Sequence, residues 1–364
     1  MIAFAVIVLA LYLLLPRLVN TKETLKYVSH ASYALLAAAC ALEVVALAGY
    51  ANLFRYILKV LDVRLRLHEA WAITISGLAV SHILSAGGVG GWVVTYNALL
   101  KYKVPHGIIF VAIAAQQFFN YIVLWLFFAM AMVYLIVTRG GGSILGYLLG
   151  ISLIVGILAI TAYGVHLYRH PAQLHRRAHG AARLANGMLR REAFHEHHID
   201  GWIENLLIGM HRMTRHHGEI SLTLLQACVY WLFDMACLWC TFAAFGVKVN
   251  VGYLLVGYVV AYSVGTLAPT PGGLGAIEGI MIALFVSFGV PSAVAVAVVL
   301  VYRIINFWLP IAPGFVAYAI VRPGRRRIAE GEVEEAAEEA PEELVELDAQ
   351  LEDGADADEA GGSR

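Results

Sequence analysis

The sequence predicts an all-α, polytopic integral membrane protein, with about six spanning helices and two opposed re-entrant hairpins arranged as an inverted repeat. Three observations carry that prediction. Of 364 residues, 60% are hydrophobic and only 14% charged, against about 25% charged in a soluble domain. Six apolar runs approach the roughly 20 residues that a bilayer-crossing helix needs. Two further apolar regions are broken in the middle by glycine or proline, which membrane interiors tolerate only where protein or a wet cavity satisfies the freed backbone.

The candidate spans are residues 2–16, 28–54, 107–138, 143–168, 221–246 and 292–321. The first run lacks the basic start and small-residue cleavage site of a secretory signal, so it reads as a membrane helix. Residues 71–100 break at Gly87-Gly88-Val89-Gly90-Gly91, and residues 252–289 at Pro269-Thr270-Pro271-Gly272-Gly273. Each leaves two runs of about 15 residues, short for a full crossing. Paired breaks in two halves of a chain point to a transport site. With the N-terminus inside, the inner face collects 18 basic residues and the outer face five, as the positive-inside rule requires. Arg17, Lys22 and Lys26 on an outer loop are the exception.

Residues 169–220 carry eight arginines against four acids before Glu219. Leu174, Ala178, Ala181 and Leu184 recur at helical spacing. The segment reads as one or two amphipathic helices on the inner surface, against anionic headgroups. Ten of the 14 histidines fall in 166–217. His195-Glu196-His197-His198 lacks a helical i, i+4 pair with a supporting carboxylate, so a solvated basic face is expected there rather than a metal site. Residues 322–364 begin basic and turn acidic: 15 of the chain's 26 acids lie in 328–364, leaving the body 24 bases against 11 acids. Such a tail is expected to be disordered in the cytoplasm. Basic residues set between apolar runs exclude a nucleic-acid face. Cys40, Cys228, Cys237 and Cys240 lie in apolar runs and read as packing residues, as do Gly142, Gly146 and Gly150. No metal or cofactor is expected.

The second break is the richest in chemistry. Pro269, Thr270, Pro271, Gly272, Gly273 and Gly275 turn the chain, and a helix beginning near Gly273 would aim its unpaired N–H groups at the break, a setting for an anion. Glu278 lies one turn into that helix at membrane depth, where a carboxylate needs a partner or water. Its natural mate is Arg303, which would bring Tyr302 and Asn306 near. At the first break, His82, Ser85, Gly87 and Gly88 are candidates. Gln116, Gln117 and Asn120 on the next span are placed to bond across helices. Glu43 and Asp234 are two further intramembrane acids, with Arg55 the only evident mate for Glu43.

The run Pro269-Thr270-Pro271-Gly272-Gly273-Leu274-Gly275 with Glu278, then Gly289-Val290-Pro291 and Tyr302-Arg303, resembles the flippase-like transmembrane domain of lysylphosphatidylglycerol synthases, over most of residues 1–321. Two departures stand out. The first break carries no acid where many members have one, and no aminoacyl-transfer domain follows residue 321. The resemblance implies a lipid-handling domain over 1–321. It implies translocation of an anionic phospholipid, glycolipid or polyprenyl-linked lipid, passive or ion-coupled, since no nucleotide motif exists. Glu278 and Arg303 match the family's charged positions. The expected setting is a bacterial plasma membrane with a cytoplasmic C-terminal tail. The expected activity is transport rather than catalysis. An intramembrane lipid-modifying subunit, or a scaffold for a cell-envelope glycosyltransferase, remains open. A homo-oligomer is also compatible with the sequence.

Overall fold

The computed structural model describes residues 31–84, 89–139, 162–164, 166–189, 196–215, 217–266, 268 and 270–321. The expected span 2–16, most of 143–168, the acidic tail and Gly142, Gly146 and Gly150 lie outside them, as do Ser85, Gly87, Gly88, Pro269 and His195. Within the described residues the fold is all helical. In chain order the helices are α1 Tyr33–Val60, α2 Leu67–Leu84, α3 Val89–Leu100, α4 His106–Arg139, α5 Pro171–Leu189, α6 Glu196–Arg215, α7 His217–Ala244, α8 Val251–Gly265, α9 Ala276–Ser287, α10 Ser292–Arg303 and α11 Ile311–Val321.

Four stretches are long and apolar enough to cross a membrane: Tyr33–Val60, His106–Thr138, Gly218–Ala244 and Ser292–Ala319. The protein is a polytopic membrane protein. Along α4, Phe118, Ile122, Leu126, Met130, Val133 and Val137 form an exposed stripe at helical spacing. Water would penalise such a stripe, whereas lipid tails cover it at no cost.

α1 runs six residues past the expected end at 54. Leu53, Phe54, Ile57, Leu58 and Leu61 are all buried, so the apolar period continues beyond Arg55 and Lys59, which point outward. α1 packs along α7 as the most extensive helix pair. At Gly49 the two backbones are so close that a Cβ would lie 2.9 Å from the Tyr230 backbone nitrogen. The expected helix 292–321 is interrupted. A π turn at Ile304–Trp308 joins α10 to α11, with the Leu309 N–H donating to the Ile304 carbonyl five residues back. Pro310 follows; lacking an N–H, it cannot continue the regular bond ladder.

Both broken segments fold as helix pairs. α2 packs on α3, and α8 packs on α9. At the second pair, a Cβ on Gly265 would stand 2.3 Å from the Ile277 side chain. Asn250 caps α8, its Oδ1 accepting from the Gly252 N–H (2.8 Å) and the Tyr134 hydroxyl (2.8 Å), which ties α8 to α4. α5 and α6 separate polar from apolar faces most strongly of all the helices. α6 lies against the start of α4, with Phe110 edge-on to Trp202. The amphipathic helices expected in 169–220 are therefore two.

Candidate functional site

Six segments converge on one buried polar centre. α1 brings Glu43, α7 Asp234, α8 Tyr258 and Tyr262, α9 Glu278, α10 Tyr302 and Arg303, and the π turn Asn306. Three helices present their polar groups as i, i+4 pairs: Tyr230 and Asp234, Tyr258 and Tyr262, and Tyr302 with Asn306. That spacing sets both members of each pair on one helix face.

Asp234 accepts from the Tyr258 hydroxyl (2.6 Å, Oδ2), the Tyr302 hydroxyl (2.7 Å, Oδ1) and Asn306 Nδ2 (2.9 Å, Oδ1). Because Tyr302 gives its hydrogen to Asp234, the single Tyr262 hydroxyl hydrogen is shared between the Tyr302 oxygen (2.5 Å) and Asn306 Oδ1. Asn306 organises the centre. Its Nδ2 faces Asp234 and Glu43 Oε1 (3.3 Å), while its Oδ1 accepts from Tyr262 (3.0 Å) and Arg303 Nη1 (3.4 Å). Donors on one side and carboxylates on the other fix the amide's orientation.

Arg303 and Glu278 pair as the sequence suggests, Nε to Oε1 at 2.5 Å, with side chains 4% and 13% exposed. Arg303 Nη2 also donates to the Gly272 carbonyl (3.2 Å), and the guanidinium stacks over Phe307 at 4.6 Å. The helix expected to begin near Gly273 instead begins at Ala276, after a 3₁₀ turn at Pro271–Gly273. Gly272 there has φ of +56°, a conformation that suits glycine. The vacant anion site expected at this helix start is filled from within: Glu278 Oε2 accepts from the Gly275 N–H at 2.7 Å. A carboxylate at N3 satisfies an otherwise orphaned donor and the helix dipole together.

Beside this centre lies a cavity of about 180 Å³. Its polar lining includes Glu43, His82, Gln117, Asn120, Thr270 and Arg303, with Asn306, Ser81, Tyr50, Tyr230 and Tyr262. His82 stacks on Phe307 at 4.3 Å, so the first helix pair meets the π turn. Six buried side-chain polar atoms among the described residues lack a hydrogen-bond partner, and four of them line this cavity: Glu43 Oε2, His82 Nδ1, Asn120 Oδ1 and Thr270 Oγ1.

The structure thus brings together Glu43, Asp234, Thr270, Gly272, Gly273, Glu278, Tyr302, Arg303, Asn306, His82, Gln117 and Asn120. Gln116 is buried on α4 but does not line the cavity, and Gly275 is the N-cap of α9. Pro271 starts the turn. Glu43 is bonded to Asn306 rather than matched to Arg55. The four tyrosines at 50, 230, 258 and 262 were not read from the sequence; Tyr230, four residues before Asp234, was the one with a usable signal. All four cysteines are free thiols, Cys237 and Cys240 buried.

The histidine-rich segment also contains a helical i, i+4 pair with a carboxylate that the sequence reading did not single out: His175 and His179 with Asp200. Residues 171–189 are helical, so four-residue spacing stacks the two imidazoles on one face.

The sequence matches the lysylphosphatidylglycerol synthase TM region over residues 1–314. The chain belongs to this family. Among its relatives is a UPF0104 membrane protein of Methanothermobacter thermautotrophicus, 35% identical over 108 residues, 30% of this chain and 32% of that one. The chain therefore spans about a third of that relative's length. UPF0104 membrane protein MJ1595 of Methanocaldococcus jannaschii is 24% identical over 74% of this chain and 79% of its own. UPF0104 membrane protein PH1989 of Pyrococcus horikoshii is 29% identical over 27% of this chain and 30% of its own. These relatives are archaeal, whereas the sequence alone suggested a bacterial setting. The matched range covers both broken segments and the Glu278–Arg303 pair. It assigns no substrate.

Proposed function

We propose that the protein moves a lipid between the leaflets of a cell membrane, holding the headgroup in the cavity between the two broken helix pairs. The observation that supports this most is the convergence of four unpartnered buried polar atoms on one cavity. A buried polar atom without a partner costs about 1–3 kcal/mol, so four in one place mark a site built for something that supplies hydrogen bonds. At about 30 Å³ per water, the volume suits several waters or one small headgroup.

Helix length supports the hairpin reading. At 1.5 Å per residue, α3 and α9 are about 18 Å long and α8 about 22 Å, against a hydrocarbon core of roughly 30 Å. In this reading both pairs enter the membrane from opposite faces and return, giving six spans and two opposed re-entrant hairpins. The basic helices α5 and α6 and the acidic tail then lie on the cytoplasmic side.

Charge narrows the headgroup. Of the three acids at this centre only Glu43 lines the cavity, beside one arginine that is already paired with Glu278. A headgroup rich in hydroxyl donors, as in a glycolipid, fits that carboxylate better than one that adds negative charge. Both oxygens of Glu278 and of Asp234 are engaged. Glu43 keeps one carboxylate oxygen without a partner.

The test is flux of labelled glycolipids, anionic phospholipids and zwitterionic lipids in proteoliposomes, with and without a pH gradient. Glycolipid flux that falls at least tenfold in Glu43→Gln and Thr270→Val supports the reading. Absence of flux for every lipid class refutes it, and turns attention to lipid modification or to scaffolding of a cell-envelope enzyme.

A further inference from the structure

We propose that His175, His179 and Asp200 bind a divalent transition-metal ion of the zinc class, which fastens α5 to α6. His175 Nδ1 lies 3.1 Å and His179 Nε2 2.8 Å from the same oxygen, Asp200 Oδ1. The ligand atoms of the three residues fall within 4.8 Å of one another, and no other such cluster occurs among the described residues. Around a tetrahedral ion with bonds of about 2.0–2.2 Å, neighbouring ligand atoms stand roughly 3.3 Å apart. The two nitrogen–oxygen spacings need to open by only a few tenths of an ångström to admit one.

The donor set selects the ion. Two imidazoles and one carboxylate suit zinc, copper or nickel; magnesium and calcium take oxygen ligands. Three protein ligands also leave a fourth position for water or an anionic group. The side chains are 34%, 21% and 46% exposed, so a hydrated ion has access. Hydrogen bonds from His179 and then His175 hold the Asp200 carboxyl below its ordinary range, which keeps it a charged ligand at neutral pH. Arg176, Arg177 and Arg183 share α5, and the Arg177 guanidinium is turned to the Tyr163 hydroxyl.

The consequence is mechanical. α6 is packed against α4, but α5 packs chiefly on α6. Two hydrogen bonds to one half-exposed oxygen are a weak tie for a basic helix. A metal ion bonded to both helices would hold α5 on the transmembrane body as a rigid basic surface. The same two contacts would also arise from a simple imidazole–carboxylate interaction, which the test separates.

The experiment uses the full chain, purified without a polyhistidine tag and stripped with chelator. Zinc chloride alone is titrated calorimetrically, and amide hydrogen exchange in α5 is followed with and without zinc. The expected result is one site whose affinity drops at least tenfold in His179→Ala and in the isosteric Asp200→Asn. Zinc-dependent protection of α5 should vanish in both variants. Both should unfold close to the wild type in chelator, since a half-exposed contact adds little to the metal-free fold. Absence of zinc binding, or binding and α5 protection unchanged in the two variants, overturns the proposal. Lipid flux does not enter this readout, so it stands or falls apart from the transport reading.

Discussion

Removing Glu278 should expose how much of the second broken segment rests on one ion pair. Glu278→Ala leaves the Arg303 guanidinium, 4% exposed, without its carboxylate, and frees the Gly275 N–H that Glu278 Oε2 accepts. Breaking a buried pair from one side costs about 3–5 kcal/mol, and losing a helix cap adds about 1 kcal/mol. The single variant should therefore lose about 4–6 kcal/mol, a large part of the 5–15 kcal/mol that holds a typical domain together. Arg303→Met strands the carboxylate instead and should cost about 3–5 kcal/mol. The double variant removes both charges and should recover about 2–3 kcal/mol relative to the sum of the singles. Unfolding in mixed micelles, by titrating dodecyl sulfate and following tryptophan fluorescence, measures all four corners of the cycle. If the double variant equals the sum of the singles within about 0.5 kcal/mol, the pair is not the anchor argued for here.

Three further outcomes follow from the same geometry. Gly272→Ala should lower thermal stability by several degrees, because φ is +56° and a Cβ would stand 2.2 Å from the Phe307 ring; a 1–3 kcal/mol overpacking cost is expected, read by the unfolding midpoint. Tyr302→Phe deprives Asp234 of one donor and Tyr262 of one of its two acceptors, and should destabilise the protein by about 1–3 kcal/mol in the same micelle titration, with Tyr258→Phe costing less because it breaks a single bond. Without metal, the contact between Asp200 and the two imidazoles should persist above the ordinary carboxyl value of 3.8 and be lost as pH falls through the lower folded-state value, since protonating a carboxyl held below its unfolded value removes the stabilisation. Faster exchange of α5 amides on acidification reads this out, and Asp200→Asn should abolish the pH step.

The membrane class and the Glu278–Arg303 contact were legible in the sequence for physical reasons. Apolar runs report burial in lipid directly, and a carboxylate and a guanidinium at membrane depth constrain each other strongly enough to be matched across 25 residues. Glu43 was not legible in the same way. Its partner Asn306 lies 263 residues away, and only the packing of α1 on α7 and the π turn brings them together. The tyrosines were obscured by their chemistry, because a phenol serves equally as core filling or as a hydrogen-bond donor. The helix start at Ala276 rather than Gly273 reflects a competition that composition cannot weigh: the 3₁₀ turn at Pro271 lets the Gly272 carbonyl meet Arg303 and lets Gly275 receive Glu278. The His175–His179 spacing was visible on an expected amphipathic helix, but Asp200, 21 residues beyond His179 on the next helix, could not be matched to it without the packing of the two helices.

The three membrane-depth acids divide by their hydrogen bonds rather than by their depth. Glu278 is fully engaged by a cation and a helix start, which makes it a fastener of the second hairpin. Asp234 is held by two phenols and an amide. Glu43 shares that amide through a longer bond than Asp234 does, at 3.3 Å, and its other oxygen is buried without a partner. A substrate hydroxyl or a proton arriving there would meet the acid that the protein satisfies least. The neighbouring Asn306, already bonded to both carboxylates and to the π turn that carries it, is then the residue through which occupation of the cavity would reach α10 and α11.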